Sequence, residues 1–273
     1  MSQKPFSSLA LKPELLSTLD SLGFTEMTPV QAQSLPQILS GSDVIAQAKT
    51  GSGKTAAFGL GLLQKLDVKR FRVQSLVLCP TRELADQVSR ELRRLARGIH
   101  NIKILTLCGG APFGPQLGSL QHGAHIVVGT PGRVEEHLRK GSLQSGDVTT
   151  LVLDEADRML DMGFQEQLDA ILSQLPANRQ TLLFSATYPD SIDGLARRVM
   201  KNPAMVKVDT VHGNRSIRQH FYRFEQNKQR ETMLRLLLLK YRPESTLVFS
   251  NTKRESEEVA DSLRSHGFSA LAL

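Results

Sequence analysis

The sequence predicts an α/β fold with a central parallel sheet covered by helices on both faces. Three observations point there. Short, almost wholly apolar runs, the mark of strands buried on both faces, recur at 43–47, 75–79, 103–107, 125–129, 150–154 and 181–185. Longer amphipathic stretches separate them; over 83–97, Leu84, Val88, Leu92 and Leu95 share one helical face. The glycine-bearing loop Ala48-Lys49-Thr50-Gly51-Ser52-Gly53-Lys54-Thr55 joins the first run to a helical stretch over 56–66.

In chain order, run 43–47 leads into that loop and run 75–79 into helix 83–97. Runs 103–107 and 125–129 each precede a glycine-bearing turn, run 150–154 ends in acidic residues, and run 181–185 ends in hydroxyl residues. A last strand over 206–211 would close the unit, followed by the polar, turn-rich stretch 212–216. A second series then begins: strand 219–224, helix 228–241, strand 246–250, helix 253–266 and strand 269–273. We therefore expect one domain over 1–210, a linker over 211–217, and a second domain over 218–273 that is cut short inside its last strand. Internal repeats and low-complexity tracts are absent.

Composition bounds the function classes. The 273 residues, at ~150 per domain, suit one large domain or two modest ones. With 40% apolar and 22% charged residues, the chain is neither disordered nor collagenous. Apolar runs such as 236–239 fall far short of the ~20 residues that span a bilayer. Residues 1–6 hold no hydrophobic block of signal-peptide length. Two cysteines make no disulfide scaffold. The expectation is an intracellular, cytoplasmic chain with no membrane and no disulfide partner. A net charge of +7 permits nucleic acid or another polyanion without requiring either.

The loop at 48–55 has the phosphate-binding pattern, with Ala48 where the usual form has glycine. Gly51 and Gly53 let successive N–H groups turn toward one anion, and the following helix N-terminus adds roughly half a positive charge. Lys54 can reach the β- and γ-phosphates of a nucleotide, and Thr55 offers a hydroxyl to Mg²⁺. The alternative is a glycine-rich turn with an incidental lysine. Asp154-Glu155-Ala156-Asp157 closes the run 151–153. A carboxylate there is placed to hold Mg²⁺ through water, and Glu155 to orient or deprotonate an attacking water. By itself the cluster could equally be an acidic helix start.

These blocks resemble the DEAD-box ATP-dependent RNA helicases, whose name is written in residues 154–157. Further blocks stand in family order. Phe24, Pro29 and Gln31 in the stretch 23–31 match the family's adenine-reading Q motif, taken over 4–32. Residues 80–85, Gly109-Gly110 and 130–133 match its RNA-contact motifs. Ser185-Ala186-Thr187 matches its coupling motif, and 247–252 resembles the first motif of its second domain. The Ala48 departure is usual in the family.

The resemblance implies a RecA-like phosphate-loop NTPase domain followed by the start of a second RecA-like domain. It implies ATP and Mg²⁺ as cofactors, with Lys54, Asp154 and Glu155 catalytic and Thr55 and Asp154 serving the metal. ATP would contact Phe24, Gln31 and all of 48–55: Gln31 carries the donor and acceptor that suit the adenine N6/N7 edge, and Phe24 can stack on the base. RNA would be held by its backbone through Thr81, Arg82, Gly109, Gly110, Thr130, Gly132 and Arg133, none of which reads a base. Asp157, Ser185 and Thr187 would couple the two sites. Arginines of the second domain that stabilise the transition state would lie past Leu273. The stretches 58–63, 78–88, 93–97 and 105–110 look most like a bacterial group acting on 23S ribosomal RNA during large-subunit assembly, although its targeting domain is not in these residues.

Other signals read as structure. The stripe Arg90, Arg93, Arg94 and Arg97 reads as a solvated helix face. His122 and His125 have no metal-ligand spacing, Cys79 and Cys108 read as buried thiols, and Met159 and Met162 as packing.

Overall fold

A computed structural model describes residues 4–208, 218–223 and 229–273, and the chain divides into two compact units, Met1–Val211 and His212–Leu273. In the first unit the elements run α1 (Pro13–Ser21), α2 (Pro29–Ser40), β1 (Val44–Gln47), α3 (Lys54–Lys65), β2 (Ser75–Leu78), α4 (Arg82–Leu95), β3 (Ile104–Leu107), α5 (Phe113–Gln121), β4 (Ile126–Gly129), α6 (Pro131–Arg139), β5 (Thr150–Asp154), α7 (Ala156–Asp161), α8 (Gln165–Ser173), β6 (Gln180–Ser185), α9 (Asp190–Val199) and β7 (Ala204–Lys207).

The seven strands form one sheet in the order β3-β4-β2-β5-β6-β1-β7, and every paired neighbour is parallel. Side chains alternate between two cores, as a pleated strand requires. Val44, Ala46, Val77, Val152 and Phe184 face one apolar cluster with α1–α4. Ile45, Leu76, Leu78, Leu151 and Leu183 face another with α6–α9. Both faces being covered explains why the runs are apolar throughout rather than alternating. Because all strands point one way, the loops after them gather along a single carboxyl edge, the usual ligand-binding edge of such sheets.

The strand expected over 206–211 begins earlier, at Ala204, and pairs with β1 through Lys207; residues 209–211 lie outside the described ones. So does the expected linker 211–217.

In the second unit, α10 (Gln229–Tyr241) and α11 (Lys253–Ser265) form where helices were expected. The Thr252 hydroxyl accepts the Glu255 N–H at 3.1 Å, capping α11. The three expected strands are corrected: no described residue within 219–224, 246–250 or 269–273 is in a strand. A strand exists only through hydrogen bonds to a neighbour, and none of these apolar stretches has a ladder to join. Leu247 and Phe249 are instead 67% and 87% exposed.

Candidate nucleotide and RNA site

The loop after β1 carries the phosphate motif. Gly51 and Gly53 have φ of +79° and +95°, and Lys54 is the first residue of α3. The Lys54 ammonium is buried and donates to the Ala48 carbonyl at 2.9 Å, folding back over its own loop. Gly53 is doubly constrained: besides its positive φ, a Cβ there would stand 2.5 Å from Nε2 of Gln31. Gln31 uses both ends of its amide. Its Oε1 accepts the Thr28 N–H at 2.9 Å at the start of α2, and its Nε2 donates to the Gly53 carbonyl at 3.1 Å. Beside it, the Thr28 hydroxyl is buried without a hydrogen-bond partner.

The loop after β5 faces this one. Asp154 is 2% exposed, and its carboxyl is raised to about 6, by desolvation first, against the lowering pull of Lys54 and with a further push from Glu155. Glu155, the cap of α7, takes a left-handed conformation at φ +51°, uncommon for a residue with a Cβ. That turn sends its carboxylate to the phosphate loop, where Oε1 accepts from Thr50 Oγ1 at 3.2 Å; Oε2 accepts from Arg158 at 3.2 Å.

The donor set fits Mg²⁺. Asp154 is a buried carboxylate whose ionised form a hard cation would relieve, and Thr55 offers a neutral oxygen on α3. Among the described residues no three or more His, Cys, Asp or Glu cluster as a closed all-protein site would need. Mg²⁺ instead takes one or two protein oxygens together with water and phosphate.

The loop after β6 touches the acidic loop directly. Thr187 donates to Asp157 Oδ2 twice, from its N–H at 2.9 Å and its hydroxyl at 2.8 Å. Burial raises the Asp157 carboxyl, but hydrogen bonds from Thr187, Ser185 and the Arg158 N–H outweigh it and hold the group below its usual range. Ser185 Oγ is fully buried and makes no hydrogen bond of ordinary geometry, so its part in this is a near contact.

On the other half of the edge, Thr81 caps α4 by accepting the Leu84 N–H at 3.2 Å. Arg82 lies across the loop after β3: Gly110, at φ +74°, sits so close that a Cβ there would be 2.0 Å from its guanidinium. The Gly109 N–H points to the Thr130 hydroxyl at 3.5 Å. Arg133 is committed to the fold, donating through both Nη atoms to the Ala111 carbonyl at 3.0 Å and pairing with Glu136 at 3.1 Å. Gly132, the second residue of α6, has free space at its Cα. Arg82 and Gly110 are thus in contact, as are the loops after β3 and β4. Phe24 stands with different company: it packs on the core, and the Arg94 guanidinium lies 5.2 Å from its ring centroid.

Several supporting residues escape a reading of motifs. Arg158, holding Glu155, sits at the i+3 spacing that a helix starting at residue 156 would have revealed. Gln116 and His137 carried no signal. Gln116 donates to the Cys108 carbonyl at 3.0 Å and meets the buried His137 at 3.2 Å, steadying the Gly109-Gly110 loop. His137 is lowered from its ordinary value by desolvation, then by Arg133, consistent with a neutral ring stacked on Phe113 at 4.2 Å. Cys79 and Cys108 are buried free thiols; burial raises both, Cys108 to about 11. Met159 is core and Met162 half-exposed. No helix among the described residues is long and apolar enough to cross a membrane.

Comparison with known proteins agrees with this arrangement. The chain is 54% identical over 269 residues to the ATP-dependent RNA helicase DbpA of Escherichia coli (strain K12), covering 98% of this chain and 59% of that protein. It is 44% identical over 266 residues to the DEAD-box ATP-dependent RNA helicase CshA of Geobacillus kaustophilus, covering 97% and 56%. The chain thus spans little more than half the length of these relatives. A crystal structure of a DEAD box protein from the hyperthermophile Methanococcus jannaschii superposes with a TM-score of 0.73 at 36% identity, over 99% of this chain and 73% of that one. Residues 28–195, the stretch that holds the phosphate loop, the acidic cluster and the loops after β2, β3, β4 and β6, match the DEAD/DEAH box helicase family, and the chain belongs to that family.

Proposed function

We propose that the protein is an ATP-dependent RNA helicase that couples Mg²⁺-ATP hydrolysis to local separation of RNA strands. One observation carries the reading: the loops after six parallel strands share one edge, with a buried Lys54, Asp154 and Glu155 in one half and turn-borne phosphate ligands in the other. Lys54 leaves the Ala48 carbonyl to meet the β- and γ-phosphates, and the amides of 50–55 surround them. Thr55 and Asp154 would hold Mg²⁺, in part through water, and the bound ion would neutralise charge on the phosphates. Glu155 turns from Thr50 to the attacking water and takes its proton as the oxygen bonds to the γ-phosphorus and ADP departs. Gln31 and Phe24 read adenine; because Gln31 is bonded to Gly53, an occupied base site is felt at the phosphate loop. Thr81, Arg82, Gly109, Gly110, Thr130, Gly132 and Arg133 hold the RNA backbone without reading sequence. The Asp157–Thr187 contact, with Ser185, links the two ligands. The resemblance of 58–63, 78–88, 93–97 and 105–110 to a bacterial group acting on 23S ribosomal RNA extends the reading to ribosomal RNA as the substrate and bacterial cytoplasm as the setting, and the domain limits 1–210, 211–217 and 218–273 go with it.

A second reading has its own observation. The described residues of the second unit hold no strand and expose Leu247 and Phe249, so among them there is no ordered sheet of the kind a closing partner needs. On that reading these 273 residues bind nucleotide and RNA with negligible turnover. A malachite-green assay with and without RNA separates the two. RNA-stimulated phosphate release that is lost in Glu155→Gln supports the enzyme. ATP binding without stimulated release supports the binding module, and failure to bind ATP contradicts both.

A further inference from the structure

A shallow cleft of ≈ 420 Å³ lies away from the motif edge, between the C-terminal end of α4 and the start of β3, and Arg93, Arg97 and Lys103 line it. A basic stripe on a helix is ordinarily only a solvated face. Here the stripe is built into a groove. Arg93 donates to the Ile104 carbonyl at 2.8 Å, and Lys103 to the Ser119 carbonyl at 3.1 Å, so the two cations are fixed on either side of the edge strand. Arg97 and, two turns earlier, Arg90 are exposed and have no acidic partner within ion-pair distance among the described residues. Glu91 on the same helix is taken by Arg94, which faces Phe24 instead. Asp86 and, in the first turn of α4, Glu83 are the acids that stand on this face, both at its Arg82 end and away from the cleft.

Residues 82, 86, 90, 93 and 97 follow each other at helical spacing, so the face begins at Arg82 and ends at the cleft, ~21 Å away along the 14 residues of α4. We infer that this face and its cleft form a second RNA-backbone site, which receives the strand continuing from Thr81 and Arg82. The inference rests on the RNA reading above. A flexible polyanion suits the surface: cations recur along a line, the cleft is too open to enclose a small anion, and no large apolar side chain is exposed within it.

The test is fluorescence anisotropy on the whole chain with Mg²⁺ and a non-hydrolysable ATP analogue. Wild type is compared with Arg90→Gln/Arg97→Gln, both exposed positions whose replacement leaves the thermal midpoint unchanged. Two single-stranded RNAs are used, one of about six nucleotides that fits the motif edge alone and one of about twenty that reaches the cleft. The double variant binds the longer RNA about fivefold to tenfold more weakly, with a log K–log salt slope smaller by about 1.4, and binds the shorter one as wild type does. Wild-type affinity and slope for the longer RNA overturn the inference while leaving the RNA reading intact. Loss of binding to a polyglutamate peptide with RNA binding unchanged also overturns it, in favour of an acidic protein partner. If wild type binds neither RNA, the RNA reading itself fails.

Discussion

The carboxyl edge of the sheet has two halves built on different physics. Around β5, β6 and β1 the functional groups are buried: Lys54, Asp154, Glu155 and Ser185 are all less than a tenth exposed. Around β3, β4 and β2 they are turns and helix starts, with Arg82 and Gly110 open to solvent. The first half stores electrostatic tension. A carboxyl raised to about 6 faces a lysine that can satisfy itself only on its own backbone. The second half stores shape: the arginines are already committed, Arg82 over Gly110 and Arg133 on the Ala111 carbonyl. A compact polyphosphate rewards concentrated charge in low dielectric, whereas a long backbone needs a string of modest contacts in fixed positions.

Replacement of Lys54 should break the first half most severely. Lys54→Ala is expected to lower Mg²⁺-ATP affinity at least a hundredfold, measured with a fluorescent nucleotide, while RNA affinity in the absence of nucleotide is unchanged.

Next in size is the stored tension itself. Because Asp154 is raised above its unfolded value of 3.8, its contribution to stability is fully present below pH 4 and is lost as pH rises through about 6. Asp154→Asn removes that loss. The variant should be more stable than wild type at pH 7.5 by up to ~3 kcal/mol in urea unfolding, with the gain vanishing near pH 4. Equal stability at both pH values would mean the carboxylate is not under strain.

Gly110→Ala sharpens the contrast from the other side. The added Cβ meets the Arg82 guanidinium and an unfavourable φ, so RNA affinity should fall about tenfold with ATP affinity unaltered. The smallest effect is at the seam. Thr187→Ala removes one of two hydrogen bonds to Asp157, which should rise toward an ordinary carboxylate value by NMR titration, and RNA stimulation of hydrolysis should weaken.

Much of the first unit was legible because its information is local. An apolar run bounded by turn residues reads as a buried strand, and the phosphate loop announces itself by spacing. Strand order was not legible, and with it the segregation of loops into two halves. The double use of the Gln31 amide and the closeness of Arg82 to Gly110 are likewise contacts between distant stretches. Glu155 is a different case, since nothing in its identity signals a left-handed backbone. The second unit shows the limit of local reading most clearly: 246–250 has the composition of a strand, but a ladder is a property of two segments. Helices α10 and α11, whose hydrogen bonds are internal, formed where their spacing indicated.

Amide hydrogen exchange on the whole chain, with Mg²⁺-ATP analogue or with RNA, tests the division of the edge most directly. The account predicts that nucleotide slows exchange at 48–55 and 154–157, and that RNA slows it at 81–85, 109–113 and 130–134. Protection by RNA confined to 48–55, or by nucleotide confined to the loops after β3 and β4, would contradict it.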